Sequence, residues 1–450
     1  MRLPDLLASK WGRLTAFFFL YLTEGIPLGF TATAVATQMR RQGLGPAEIG
    51  AFVASLYLPW AFKWVVGPFV DVLSWERLGR RRMWIVLAQV MMVATLMSAL
   101  PVRFSAQLHL FTILILIHNV FAATQDVAID ALAVNVLHQD ERGLANGLMF
   151  GGAYLGQAIG GSGVLFLTAY VPFTTTYFFV AAWILAVTLL VALPLREPKG
   201  PPRAPAQGSP IAHAGREIAS FAHDSFRAFI GTRAAFLGLL FAILPSGAYA
   251  LGLALQSNLA VELGLSDARI AVLNLWSTVI SALGCVSGGW LSDRFGRRRM
   301  LALYVLAMSL PTLYLALSMR QYGWIMPVAP QAPNRPIPPG ALVSVFWWMT
   351  LVYSAFNGLM YGTRTALFMD VTTPRVAATQ FTAYMALLNL AISYSATWQG
   401  IVVERWGYPV ALTVDAVSGV LCLVLLPWIS ARKRVTEPAP GQAVPEAIQP

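Results

Sequence analysis

Charge is scarce in this chain. Only 11% of its 450 residues are Asp, Glu, Lys or Arg, while 57% are hydrophobic. A soluble domain carries about 25% charged residues, so a globule of this length would have too little polar surface to stay in water. Cysteine is nearly absent. Cys285 and Cys422 sit in separate apolar runs, which excludes a disulfide framework and marks both as packing residues. The five histidines form no metal-ligand cluster, and no phosphate-binding loop or nucleophile motif occurs. Neither a metal nor a cofactor is therefore expected. An intramembrane enzyme built on His118 and Asp126 would lack a second catalytic histidine, and a lone His118 reads as a hydrogen-bonded packing residue. A cleavable leader is not expected either. The first apolar stretch is longer than a leader's apolar core, and no small-residue cleavage site follows it.

What the chain has in quantity is long apolar runs. They fall at 14–38, 47–70, 83–100, 107–136, 144–170, 173–194, 234–257, 268–292, 300–319, 341–370, 378–402 and 408–430. A spanning helix needs about 20 such residues, and membrane helices tolerate the Pro and Gly that several runs contain. The expected fold is an all-α membrane protein of twelve transmembrane helices. The formal net charge of +11 is a topology signal rather than a nucleic-acid footprint. With the N-terminus inside, about 22 of the 31 basic residues fall on inner segments and about 7 on outer loops. That bias puts both termini in the cytoplasm.

The chain also repeats itself. After the second run stands Gly67-Pro-Phe-Val-Asp71, then Gly79-Arg-Arg-Arg-Met83. After the eighth stands Gly289-Trp-Leu-Ser-Asp293-Arg294-Phe-Gly296-Arg297-Arg-Arg-Met300. Arg80 then matches Arg297, and Arg142 matches Arg375 once the longer loop at 320–341 is set against 101–106. Two related six-helix bundles, 1–195 and 234–432, are expected. A linker at 196–233 joins them, and a tail at 433–450 is expected to be disordered. The linker begins Pro-rich at 197–210 and continues as a short amphipathic helix over 212–230, with Ile218, Phe221, Phe226 and Phe229 on its apolar face.

The Gly289–Arg299 pattern and its echo at Gly67–Arg82 resemble the signature loop of the major facilitator superfamily. The resemblance implies two pseudo-symmetric bundles and a cytoplasmic latch built from Gly67, Asp71, Arg80, Gly289, Asp293, Arg294, Gly296 and Arg297. Four further segments resemble the AmpG-type muropeptide permeases and the related acetyl-CoA transporters. They are Leu20-Tyr-Leu-Thr-Glu-Gly-Ile-Pro-Leu-Gly29, Leu58-Pro-Trp-Ala-Phe-Lys63, Thr124-Gln-Asp-Val-Ala-Ile-Asp130 with Glu141-Arg-Gly143, and Ala378-Thr-Gln-Phe381. The chain departs from that branch at Gly152-Ala-Tyr-Leu-Gly156, where members often carry a basic residue. Gly143, Gly152, Gly156, Gly160 and Gly161 resemble the spacing of the exporters' antiporter motif, but Gln157 stands where that motif has Pro. Close helix packing explains the same glycines.

Ionisable groups inside a bilayer cost about 2.5–3.5 kcal/mol each on insertion scales and usually line a functional path. The apolar runs hold Glu24, Lys63, Asp126, Asp130 and Arg364, with Asp370 near a helix end. Asp126 and Asp130 are four residues apart, hence on one helix face about 6 Å from each other, with Asn119 on the same side. Two close carboxylates in a dry site cannot both ionise cheaply, which suits proton coupling. Glu24, followed at seven-residue intervals by Thr31 and Gln38, is a second protonation candidate. The resemblance implies that it faces the central cavity. Lys63 can pair with Asp126 or Asp130 and is also a candidate for the substrate site. Arg364 is a candidate for holding an anionic substrate. Tyr361, Asn357 and Trp398 are expected to help shape the pocket, with Trp276, Trp347, Trp348 and Tyr353 as further aromatic candidates.

These residues suit a monomeric, multi-pass transporter of the inner membrane, with a small molecule and protons as partners in a lipid bilayer and no nucleic acid. The expected activity is proton-coupled import of a bulky anionic solute of the muropeptide, CoA-thioester or siderophore class by alternating access. A proton-driven exporter is the alternative, and a non-transporting sensor a remoter one.

Overall fold

A computed structural model describes residues 5–72, 79–137, 142–197, 233–330, 332, 335–371 and 377–429, and isolated positions between 212 and 227. The Pro-rich linker, most of the expected amphipathic helix and the tail lie outside the described residues.

The first half of the chain forms α1 (Lys10–Arg41), α2 (Pro46–Ala61), the short α3 (Gly67–Val72), α4 (Arg80–Ala99), α5 (Phe104–Val136), α6 (Arg142–Ala158) and α7 (Thr175–Val187). The second half forms α8 (Arg233–Ile243), α9 (Ala254–Glu262), α10 (Asp267–Phe295), α11 (Arg297–Gln321), α12 (Gly340–Val371), α13 (Ala377–Trp406) and α14 (Tyr408–Val420). Among the described residues, nine helices are long and apolar enough to cross a bilayer. Their outer faces are greasy: only 22% of the most apolar window of Asp267–Ser292 is buried. Trp276, Leu283, Val286 and Trp290 on α10 are all more than half exposed. In water such faces would aggregate; in lipid they are solvated.

Helix ends follow local chemistry. Ser266 caps α10 by accepting from the Arg269 N–H at 3.3 Å. Gly296, at φ +93°, turns the chain between α10 and α11 in a conformation that side-chain-bearing residues resist. Pro27 interrupts the ladder of α1, which widens to a π-helical turn at Phe30–Val35.

Two apolar runs are not the single helices that hydropathy implies. The 47–70 run ends as an α-helix at Ala61, two residues after Pro59. Lys63 therefore begins a 3-10 turn, Lys63–Val65, rather than lying on α2. The 234–257 run breaks after Ile243, because Pro245 has no N–H to give and Gly247 adopts φ +98°. The chain then makes a 3-10 turn at Ala250–Gly252 before α9.

Glycines bring helix backbones into contact. A Cβ on Gly156 would lie 2.6 Å from the Leu22 carbonyl oxygen, and one on Gly160 would lie 1.9 Å from that of Ile26, so α6 and the π-helical turn that continues it, Ile159–Gly163, lie directly on α1. Gly50 and Gly400 do the same for α2 against α13, and Gly284, Gly288, Gly358 and Gly362 for α10 against α12. The α2–α13 contact joins the two halves of the chain, reinforced by the Ser393 hydroxyl donating to the Ala54 carbonyl at 2.9 Å.

Candidate functional site

In the first half, α1, α5 and the turn after α2 bring five ionisable groups together. Lys63 Nζ donates to Asp126 Oδ2 at 2.7 Å and lies 3.8 Å from Asp130 Oδ2. The Tyr21 hydroxyl donates to Asp130 Oδ1 at 2.5 Å. Glu24 has Asp126, Asp130 and Lys63 as its electrostatic neighbours, and its Oε1 is buried with no hydrogen-bond partner. The i, i+4 spacing put Asp126 and Asp130 on one face. The break after Pro59 lets Lys63 swing to both. Lys63 is thus held by both carboxylates.

The cluster continues into the bundle through neutral groups. Gln125 and Gln89 both donate to the Thr23 hydroxyl oxygen, at 3.0 and 3.3 Å, and Thr188 donates to Gln89 Oε1 at 2.7 Å. Tyr21, Thr23 and Gln125 stood in the family-like segments without an assigned role, and Gln89 in none, because uncharged polar residues in a helix give no signal of the direction they face. Thr31 donates back to the Pro27 carbonyl, and Gln38 reaches Asp267. Asn119 is buried with its Nδ2 unpartnered. His118 bonds through Nδ1 to the Met92 carbonyl at 2.9 Å, which ties α5 to α4.

In the second half Arg364 is 1% exposed, the largest fully buried side chain of the described residues. Its Nη1 donates to the Tyr249 hydroxyl at 3.1 Å, and its guanidinium lies 5.2 Å from the centre of the Tyr361 ring. Its Nε has no partner, and among the described residues no carboxylate pairs with it. Tyr154 of α6 and Tyr353 of α12 are electrostatic neighbours of the same guanidinium. Tyr57 of α2 neighbours Tyr361 and Tyr353. Tyr249 and Tyr361 thus contact the guanidinium, with Tyr154 and Tyr353 within its electrostatic reach. A cavity of about 80 Å³ adjoins them, lined in part by Tyr57, Gln157, Gly252, Gln256 and Ser257. Of the residues expected here, Tyr361 touches Arg364. Asn357 and Trp398 are half-buried on α12 and α13. Trp276 and Trp348 are 53% and 61% exposed. Trp347 is half-buried against Arg269, 5.7 Å from its ring centre.

The sequence placed most deep charges in the first half. The structure corrects this, because Asp415 on α14 and Glu262 at the end of α9 are fully buried. Arg40 and Arg41, counted as loop charges, are parts of a clamp between the halves. Arg40 pairs with Glu262, which also accepts from the Tyr408 hydroxyl at 2.5 Å and the Val328 N–H at 3.0 Å. Arg41 pairs with Asp267 at 2.6 Å.

The expected latch residues are only partly engaged. Arg297 donates to the Ala366 carbonyl at 3.0 Å, joining α11 to α12. Arg294 is exposed over the Trp290 ring. Gly289 and Gly296 have open space where a Cβ would sit, as does Gly67. Among the described residues, the bonds of the first half run through Arg81 and Arg82. Glu197 accepts from the Arg81 N–H at 2.8 Å, and Arg82 donates to the Leu195 carbonyl. The carboxylate of Glu197 sits at the positive end of α4. The side chains of Asp71, Asp293, Asp370, Arg142 and Phe381 lie outside the described residues.

A greasy helical body with a charged cluster, a buried arginine and an interface between two halves is the build of a membrane transporter. The family model for the Major Facilitator Superfamily matches residues 14–330 and 236–448, and the chain belongs to that superfamily of secondary transporters, not to an enzyme family. It is a multi-pass membrane protein. An uncharacterized protein of Haemophilus influenzae is 25% identical over 92% of this chain and 94% of its own length. The anhydromuropeptide permease of Escherichia coli K12 is 24% identical over 65% of this chain, an alignment that spans 58% of the permease. Among solved structures, a D-xylose-proton symporter superposes with a TM-score of 0.69 at 14% identity, covering 92% of this chain and 96% of the symporter.

Proposed function

We propose that the chain is a proton-coupled importer of a bulky organic anion, of the muropeptide class, in a bacterial inner membrane. On this reading it has twelve spans in two pseudo-symmetric six-helix bundles, 1–195 and 234–432, with the 196–233 linker and both termini cytoplasmic. The Glu24–Asp126–Asp130–Lys63 cluster carries the proton, and Arg364 holds the anion. The observation that supports it most is the contrast between the two buried cations. Lys63 is matched by carboxylates, whereas Arg364 is held by Tyr249 and Tyr361 and retains an unpartnered donor. A buried cation without a counter-charge is costly, and an anionic solute would supply one. Tyrosine faces and hydroxyls suit a sugar-bearing solute, and distant likeness to a permease named for anhydromuropeptide points the same way.

The exporter alternative loses its main support, because Gly152, Gly156 and Gly160 are each used in packing against the α1 backbone. Proteoliposomes distinguish the two directions. Accumulation of an anhydromuropeptide against its gradient when protons flow inward supports import. Expulsion of the same solute by inward protons would overturn it.

A further inference from the structure

The break between α8 and α9 leaves backbone groups without helical partners in the middle of an apolar body. One side chain takes them up. Asp415, fully buried on α14, accepts from the Tyr249 and Ala250 N–H groups through Oδ2, both at 2.8 Å. Its other oxygen accepts from Gln399 Nε2 at 2.7 Å. Next to it the Gly247 N–H donates to the Gly419 carbonyl at 2.8 Å, and a Cβ on Gly419 would lie 2.3 Å from the Gly247 carbonyl carbon, so α14 lies directly on the break. The residue whose N–H Asp415 holds is the one whose hydroxyl accepts from Arg364. The Tyr249 hydroxyl is also pinned by the Ser246 N–H at 3.2 Å.

We propose that Asp415 is a positioning residue for the anion site: it fixes the helix break so that Tyr249 holds the Arg364 guanidinium in place. A buried carboxylate in a transporter would by default be a candidate for carrying the coupled proton. Here its two oxygens are engaged by three donors, two of them backbone amides that no other described group satisfies. That makes Asp415 a fixed acceptor, in the manner of a helix cap. Arg364, in turn, depends on a residue from the other end of its half of the chain. The α14–break–Arg364 chain of contacts couples the last helix to the substrate site, and any movement of α9 during transport must pull against Asp415. The inference rests on the reading of Arg364 as the anion ligand, so its test has an arm that needs no substrate.

That arm is amide hydrogen exchange of the 245–253 segment in the purified full-length protein. Asp415→Leu puts a larger apolar side chain there and removes the acceptors, so exchange at Tyr249 and Ala250 is expected to accelerate by about tenfold or more. Asp415→Asn keeps an acceptor and is expected to stay within about twofold of the parent. Arg364→Ala is expected to leave exchange there unchanged. Unchanged exchange in Asp415→Leu overturns the proposal. The second arm measures uptake of an anhydromuropeptide. Asp415→Leu and Tyr249→Phe are each expected to raise KM by about fivefold, with the double variant no worse than the single ones, while the number of protons moved per solute stays that of the parent. Asp415→Asn is expected to restore KM. Additive KM effects, or loss of proton coupling in Asp415→Asn, would contradict positioning. If the parent takes up no anhydromuropeptide, the reading of Arg364's solute fails, while the exchange arm still decides the role of Asp415.

Discussion

The charged residues divide by how completely their neighbours match them. Lys63 and Asp126 are bound at 2.7 Å with side-chain exposures of 17% and 6%, so removing one leaves the other buried and unpaired. Lys63→Met is expected to destabilise the protein by about 3 kcal/mol, and Lys63→Met combined with Asp126→Asn by clearly less, as read by thermal unfolding in detergent. A loss in the double variant equal to the sum of the Lys63→Met and Asp126→Asn losses would mean that the pair is not coupled. Arg364 is held by a hydroxyl and a ring face. Arg364→Lys keeps the charge but loses the planar fork and the stacking, so KM for the anion is expected to rise about tenfold with kcat less affected. Much of this was legible in the sequence. A charge inside an apolar run is conspicuous, and Asp126 and Asp130 announce a shared face by spacing alone. Tyr21, Tyr249 and Gln125 were not legible, because their roles arise only when separate helices meet. Asp415 was missed although it is charged, since its value lies in capping a helix break that hydropathy does not register.

At the scale of elements, glycine decides which helices touch. Gly160 admits the Ile26 carbonyl to a distance that a methyl group would forbid, whereas Gly151, one helical face away, has nothing within 4 Å. Gly160→Val is expected to cost about 1–3 kcal/mol of stability by forcing α1 from α6. Gly151→Ala is expected to be neutral or slightly stabilising, because alanine is the better helix former. Melting temperatures of the two variants compare them directly, and equal tolerance would mean that the α1–α6 contact is not close. The positions of the long helices followed from hydropathy within a few residues. Their interruptions did not. Pro59 and Pro245 each allow either a kink or a full break, and the outcome depends on partners, here Lys63's carboxylates and Asp415, that lie far away in the chain.

For the whole molecule, the clamp at the end of the body that carries Arg40, Glu262 and Asp267 holds the halves together on that side. The Val328 N–H seals it further by donating to Glu262. The loop at 320–341, evident in the sequence as an insertion between the repeats, is thereby put to use. Glu262→Gln weakens the charge match and is expected to populate a form open at this end. Spin labels at Leu44 and Leu265 would report it as a longer component in their distance distribution. An unchanged distribution would mean that the clamp does not bias the equilibrium. On the proposed proton-coupled reading, such an opening is linked to protonation of the cluster in the first half. The most direct test is Asp126→Asn in proteoliposomes, with two assays on one sample. Exchange of labelled for unlabelled anhydromuropeptide without any gradient is expected to persist, while accumulation driven by a proton gradient is expected to vanish. Accumulation at the parent rate in Asp126→Asn would contradict the account.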